Sequence, residues 1–156
     1  MGLEQVVREG SLIPVTGYDG GTLPYEDGSF DVVILADVLH HEENPDRLIA
    51  ESVRVAKRLL IIKDHKLDGF LAQPRIAIID WAANAPYGVP CRYEYNTLDQ
   101  WRSVHERHGL RPDEELTSMR LYPPLVNLLF GRRLHYLAVL RVRTEAGSGG
   151  SARAAG

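Results

Sequence analysis

The chain has 156 residues, of which 44% are hydrophobic and 25% are charged, as in one ordinary soluble globular domain. Its net charge of -3 argues against a nucleic-acid-binding protein, because such proteins depend on a basic surface. The single cysteine, Cys91, cannot form an internal disulfide. The start of the chain has no apolar signal core, and no apolar run approaches the ~20 residues of a membrane-spanning helix. We therefore expect a cytoplasmic protein with no nucleic-acid or membrane partner.

The first part of the chain alternates short apolar runs with polar turns. Residues 13–16 form a short β-type run that ends in a turn. Residues 30–36 form an apolar run without alternation, which is typical of a strand buried on both faces of a parallel sheet. Asn44 can cap a helix with Pro45 at its first position, and a second buried strand follows at 58–63.

The middle of the chain predicts two helices joined by a loop. Apolar residues recur at helical spacing within 68–84, which favours a helix there. Residues 85–95 contain two prolines and a glycine and are expected to form a loop. Thr97 and Gln100 form a capping box that opens the next helix, and Gly109 is a natural stop for it.

The last part of the chain predicts an antiparallel pair of strands. These strands cover 115–121 and 134–142, and an apolar insertion at 123–130 separates them. One domain is expected to span 1–144. Residues 145–156 are low in complexity and are expected to form a disordered tail.

Polar residues follow two of the predicted strands where each strand ends. Asp37 follows the run 30–36, and Lys63, Asp64 and His65 end the next strand. In a parallel α/β sheet, ligands bind outside the carboxyl ends of the strands. The sequence therefore predicts an α/β fold, with a mostly parallel sheet ending in an antiparallel hairpin and with both polar tips facing one crevice.

Several motifs around the strand 30–36 resemble those of class I S-adenosylmethionine-dependent methyltransferases, in particular the group that acts on small molecules. The motifs are YDG at 18–20, LPYEDGSFDVV at 23–33, DVLHH at 37–41, Glu51-x-x-Arg54, KDH at 63–65 and the segment 95–110. The likeness covers about residues 13–142. It implies a partial Rossmann-like sheet, S-adenosylmethionine as the cofactor, and methyl transfer to O, N or C of a small-molecule acceptor.

The resemblance also implies roles for particular residues on the cofactor side. Asp19 would accept a hydrogen bond from the adenine amino group, although a turn-forming Asp is the simpler interpretation. Asp37 would line the site at the tip of its strand; the alternative is that Asp37 only ends the strand and caps the following turn. The full set of expected cofactor-binding residues is Asp19, Gly20, Leu23, Asp37 and Val38.

On the acceptor side, His40 and His65 are candidate catalytic bases, with plain packing as the alternative for each. The expected substrate-binding residues are His41, Asp64, Trp81, Asn84 and Tyr95. No metal site is expected, because adjacent histidines point to different sides and no Cys or carboxylate lies at a metal-ligand spacing.

The chain departs from the family pattern near its start. No Gly-rich turn precedes the first matched strand, so the family's first two strands are expected to be missing. Without them the strand at 30–36 would have an open edge. Either the chain is a fragment, or a partner chain or a second copy covers that edge, or the sheet closes differently.

Two other functions remain open on the sequence. The chain could be a non-catalytic binding or scaffold remnant that keeps the sheet without the cofactor site. It could also be another nucleotide-binding α/β protein, although the missing Gly-rich turn and the antiparallel ending fit that class poorly.

Overall fold

A computed structural model describes residues 1–4, 10, 12–131 and 133–143, and the tail expected at 145–156 lies outside them. The strands are β1 (Gly2–Glu4), β2 (Val15–Gly17), β3 (Phe30–Ala36), β4 (Ala56–His65), β5 (Arg111–Leu116) and β6 (His135–Arg141). The helices are α1 (Pro45–Val55), α2 (Ala72–Asn84), α3 (Leu98–Arg107) and α4 (Pro124–Phe130), with short 3-10 turns at Leu39–His41 and Ala85–Tyr87. In this part of the chain, no helix combines the length and apolar composition needed to cross a bilayer.

The main sheet has the strand order β3-β4-β6-β5, and β1 and β2 form a separate parallel pair. Strands β3 and β4 are parallel and are joined through α1, as the crossover pattern predicts. Strand β6 is antiparallel to both β4 and β5. The α/β class and the C-terminal hairpin are therefore confirmed, and the main sheet is mixed, with its parallel pairing between β3 and β4.

Helix α1 forms as its sequence signals predict. The side chain of Asn44 accepts a hydrogen bond from the backbone N–H of Arg47 at 3.0 Å, and Pro45 occupies the first turn. Leu48, Ser52 and Val55 are buried on one face. This face packs on the sheet and brings the chain directly into β4.

A core of aliphatic and aromatic side chains fixes the centre of the sheet. Leu60 and Leu140, on β4 and β6, are fully buried. Trp101 of α3 stacks on Tyr136 at 5.3 Å between ring centroids, and its indole N–H donates to the carbonyl of His65 at 3.1 Å. Helix α3, which begins at the predicted capping box, thereby holds the carboxyl end of β4 in place.

Two expectations for the strands are wrong. Strand β3 is not buried on both faces, since Val32 is 42% exposed and Ile34 is 62% exposed. These two side chains point to the same face of β3, since residues two apart in a strand lie on one side, and that face is open to solvent. The strand expected at 115–121 lies instead at Arg111–Leu116, where pairing with β6 holds a mostly polar segment in the sheet.

Candidate active site

Asp37 marks the carboxyl end of β3, as expected, and its backbone is in the left-handed region with φ 51°. Few residues other than Gly adopt this conformation, and Asp is one that tolerates it. The backbone N–H of Asp37 donates to the carbonyl of Lys63 at 2.8 Å, and its carboxylate accepts from Nζ of Lys63 at 2.6 Å. The tips of β3 and β4 are therefore tied together by one charged pair.

The short turn after β3 places His40 against the tip of β4. Nδ1 of His40 lies 2.5 Å from Oδ1 of Asp64, and both side chains are buried. The same carboxylate accepts from the backbone N–H of Leu39 at 3.2 Å and from that of His65 at 2.6 Å. Asp64 is therefore a fully engaged buried acceptor that fixes the orientation of His40.

The environment moves the pKa values of the two candidate bases in opposite directions. Burial alone would lower the pKa of His40, but the hydrogen bond and charge of Asp64 outweigh it, so this pKa lies above its ordinary value. Burial, together with the nearby His40, lowers the pKa of His65. Neighbouring groups whose pKa values are pushed apart are a feature of sites that move protons.

Asp80 of α2 organises the other side of the cluster, although it is not among the site residues expected from the sequence. Its Oδ2 accepts from the hydroxyl of Tyr95 at 2.7 Å, and its Oδ1 accepts from Nδ2 of Asn84 at 2.8 Å. Nε2 of His40 and Nε2 of His41 lie 3.6 Å and 3.5 Å from Oδ1 of Asp80. The expectation that adjacent histidines point to different sides is thus wrong here, because both rings face Asp80.

The imidazole rings form a column across the end of the sheet. Ring centroids are 4.1 Å apart for His41 and His40, 5.1 Å for His40 and His65, and 5.2 Å for His65 and His135. His135, at the start of β6, was also missed. Its side chain is buried, which an isolated histidine in a sequence does not reveal.

A cavity of about 440 Å³ opens beside this column. Its lining includes His40, Asp64, His65, Tyr95 and Trp101. This volume lies within the ~300–1,000 Å³ range of small-molecule sites. The cavity is therefore large enough for a small acceptor and is bordered by the two candidate bases.

The expected substrate-binding residues divide into two groups. His41, Asp64, Asn84 and Tyr95 come together around Asp80 and His40. Trp81 is 59% exposed, because the turn of α2 that buries Asp80 directs the next residue towards solvent.

The expected cofactor-binding residues lie on the loop before β3 and at its end. Asp19 is exposed, and its Oδ1 accepts from the backbone N–H of Gly21 at 2.8 Å in a tight turn, while Gly20 has φ 77°. Leu23 is buried in the core, and Val38 is 36% exposed. The loop thus presents the carboxylate of Asp19 to solvent and anchors itself through Leu23.

Arg54 holds this loop against helix α1. Its guanidinium donates to the carbonyls of Tyr25 and Leu23 at 2.8 Å and 3.0 Å, and to the carboxylate of Glu51 at 2.8 Å. Glu51 in turn accepts from the backbone N–H of Leu23 at 2.9 Å. The Glu51-x-x-Arg54 motif is therefore the clamp that holds the loop before β3.

Comparisons with known proteins agree with this architecture. A family model described as a methyltransferase domain matches residues 3–60. No curated protein matches the sequence at a significant level. The same fold occurs in a Thermotoga maritima protein described as a SAM-dependent methyltransferase and possible histamine N-methyltransferase. Its TM-score is 0.62 at 14% identity, with 84% of this chain and 65% of that chain covered.

Two archaeal structures are similar in the same way. A SAM-dependent methyltransferase from Methanosarcina mazei has a TM-score of 0.59 at 15% identity, covering 84% of this chain and 68% of that one. A chain of the Haloferax volcanii complex between the Trm112 methyltransferase activator and a methyltransferase has a TM-score of 0.58 at 14% identity, covering 85% of this chain and 62% of that one. The chain therefore spans about two thirds of the length of these relatives and shares their fold.

Proposed function

We propose that this chain is a class I S-adenosylmethionine-dependent methyltransferase and takes part in methyl transfer to a small-molecule acceptor, which the match of residues 3–60 to a methyltransferase-domain model supports. One observation carries the proposal: the parallel strands β3 and β4 end side by side, and His40, in the turn after β3, borders one cavity together with Asp64 and His65 of β4. Ligands of open α/β sheets bind at this edge. The cavity volume supports an acceptor of small-molecule size.

The residues on the cofactor side fit S-adenosylmethionine. Asp19 offers an exposed carboxylate to an amino group, and Gly21 leaves room for it, since a Cβ at position 21 would meet Oδ1 of Asp19 at 2.8 Å. Asp37 offers a second carboxylate at the end of β3. When bound, S-adenosylmethionine supplies a methyl group that its sulfonium makes electrophilic.

His65 is the residue that we assign to the acceptor's proton. Nδ1 of His40 is engaged by Asp64, and its Nε2 faces Asp80, so His40 has no free acceptor atom for the cavity. His65 instead pairs through Nδ1 with the carbonyl of Leu134 at 3.4 Å, which leaves Nε2 as a proton acceptor. His65 would take the proton of a hydroxyl or amine, while the cavity orients that group for attack.

The first experiment is a calorimetric titration of the purified chain with S-adenosylhomocysteine, followed by a screen of small acceptors with labelled S-adenosylmethionine. We expect binding by the wild type, at least tenfold weaker binding by Asp19→Ala, and unchanged binding by Trp81→Ala, the exposed control. His65→Gln should keep the affinity and lose turnover. A folded, monodisperse chain that does not bind S-adenosylhomocysteine contradicts autonomous methyl transfer.

The exposed edge of β3 favours a second candidate function, that of a binding scaffold. An edge strand presents unpaired backbone N–H and C=O groups, and Val32 and Ile34 add apolar surface beside them. A second copy or a partner chain that adds a strand beside β3 would pair with these backbone groups, and the Haloferax relative is described in a complex with an activator. Sedimentation velocity over a range of concentrations tests this reading: a strictly monomeric chain that also turns over an acceptor contradicts it.

A further inference from the structure

We propose that His40, His41 and Asp80 bind a divalent transition-metal ion such as zinc, through Nε2, Nε2 and Oδ1. These donor atoms all lie within 4.8 Å of one another. Imidazole nitrogen and carboxylate oxygen are ordinary zinc ligands. This metal site is separate from the proposed methyl transfer, and zinc binding can be measured without that activity.

The separations between donor atoms suit a metal ion better than hydrogen bonds. Oδ1 of Asp80 lies 3.6 Å from Nε2 of His40 and 3.5 Å from Nε2 of His41, which is too long for a good hydrogen bond. Ligands at ~2.0–2.1 Å from a tetrahedral zinc ion stand roughly 3.3–3.4 Å apart. Small shifts of the side chains would therefore place all three donors around one ion.

The other nitrogen of each imidazole already has the partner that a metal-binding histidine requires. Nδ1 of His40 pairs with the carboxylate of Asp64 at 2.5 Å, and Nδ1 of His41 pairs with the carbonyl of Pro90 at 3.0 Å. Both partners accept hydrogen bonds, so each Nδ1 carries a proton and each Nε2 of a neutral ring is a lone pair. Such outer partners orient the ligands in metal sites.

Electrostatics inside the cluster also call for a cation. Two nitrogen lone pairs and a carboxylate oxygen that face one another repel. A proton on one imidazole relieves only one contact at a time, whereas a divalent ion satisfies all three donors. Asn84 partly offsets this repulsion, because its Nδ2 donates a hydrogen bond to Oδ1 of Asp80 at 2.8 Å. Rotation of the Asn84 amide by half a turn would present its oxygen as a fourth metal ligand.

The carboxylate is held in place, and the site has an entry path. Oδ2 of Asp80 accepts from the hydroxyl of Tyr95 at 2.7 Å, which directs Oδ1 towards the histidines. The side chain of Asp80 is buried, while that of His41 is 17% exposed. An ion entering past His41 would connect α2 to the turn after β3 and should raise the melting temperature of the protein.

The test is calorimetric titration of untagged, chelator-treated protein with zinc chloride, supported by the absorption spectrum of the cobalt(II) form. We expect one ion per chain, a cobalt spectrum of a low-symmetry site, and a rise in melting temperature. His41→Gln and Asp80→Asn should each weaken zinc binding at least tenfold. His108→Gln removes a histidine that pairs with Asp46 outside the cluster and should leave the affinity unchanged.

Circular dichroism first establishes that each variant is folded. His41→Gln is the decisive variant, because its side chain is partly exposed and its loss leaves the buried pair of His40 and Asp64 intact. Zinc bound equally by the wild type and by folded His41→Gln would overturn the proposal. So would an absence of zinc binding by the wild type, which would leave a proton shared within the cluster as the account of these contacts.

Discussion

Acidification should destabilise this protein through His135, a residue outside the proposed metal ligands. The ring of His135 is almost fully buried between those of His65 and Tyr122, at 5.2 Å and 5.7 Å. Burial, with the charges of His65 and Lys63, lowers the pKa of His135 from 6.5 to about 4. Asp37 acts in the opposite direction and is outweighed.

The sign follows from which state takes up the proton more readily. Below pH ~6.5 the unfolded chain protonates this histidine and the folded protein does not, so stability falls as the pH drops and stops falling below about 4. A difference of about 2.5 pKa units corresponds to about 3.4 kcal/mol in all. At pH 5.5 the loss is about 1.4 kcal/mol, and at pH 4.5 it is about 2.5 kcal/mol.

Urea unfolding of the wild type and of His135→Phe at pH 7.5, 6.5, 5.5 and 4.5 measures this contribution. Titrating groups that do not interact with His135 are present in both proteins and cancel when the two free energies of unfolding are subtracted at each pH. The wild type should lose about 2.5 kcal/mol relative to the variant between pH 7.5 and 4.5. A difference that stays constant over this range would refute the reasoning, because His135 would then titrate alike in both states.

Three further substitutions test the fold. Asn44→Ala should lower the free energy of unfolding by about 1 kcal/mol in urea, whereas Asn44→Asp should keep the cap and cost little. Arg54→Lys loses the two hydrogen bonds that the guanidinium donates to the carbonyls of Leu23 and Tyr25, and it should lower the free energy of unfolding by about 1–3 kcal/mol. An unchanged urea midpoint would show that Arg54 does not hold the loop. Ile34→Lys should reduce concentration-dependent association in sedimentation velocity without lowering the melting temperature. Stronger association of this variant would count against association through the edge of β3.

Strong local patterns made part of the fold predictable. The apolar run of β3 has the predicted bounds, and the strand expected at 134–142 differs from β6 by one residue at each end. The polar segment Arg111–Leu116 has no such pattern, because it is held in the sheet by its register with β6. The burial of β3 differs from the expectation for a related reason: whether another layer of the fold covers a face of a strand is not encoded in the strand itself.

The site residues also divide into those that a local pattern predicted and those that long-range packing brings into place. The rule that chemistry lies at the carboxyl ends of parallel strands placed His40, Asp64 and His65 together, and the structure has them in contact. Asp80 and His135 reach the cluster from α2 and β6 through long-range packing. Neither has a spacing relative to the other residues that a sequence pattern could reveal.

Helix α1 passes into β4 with no intervening residue, since Val55 ends the helix and Ala56 begins the strand. Along β4, Leu60, Ile62 and Asp64 are buried and alternate with less buried neighbours. Whether the side chain of residue 64 faces inward therefore depends on whether the number of residues between the end of helix α1 and position 64 is even or odd. One residue inserted at this junction would exchange the inward and outward faces of the whole strand and carry the partner of His40 away from it. Viable changes of length here are restricted to steps of two, or to those in which a bulge absorbs the extra residue.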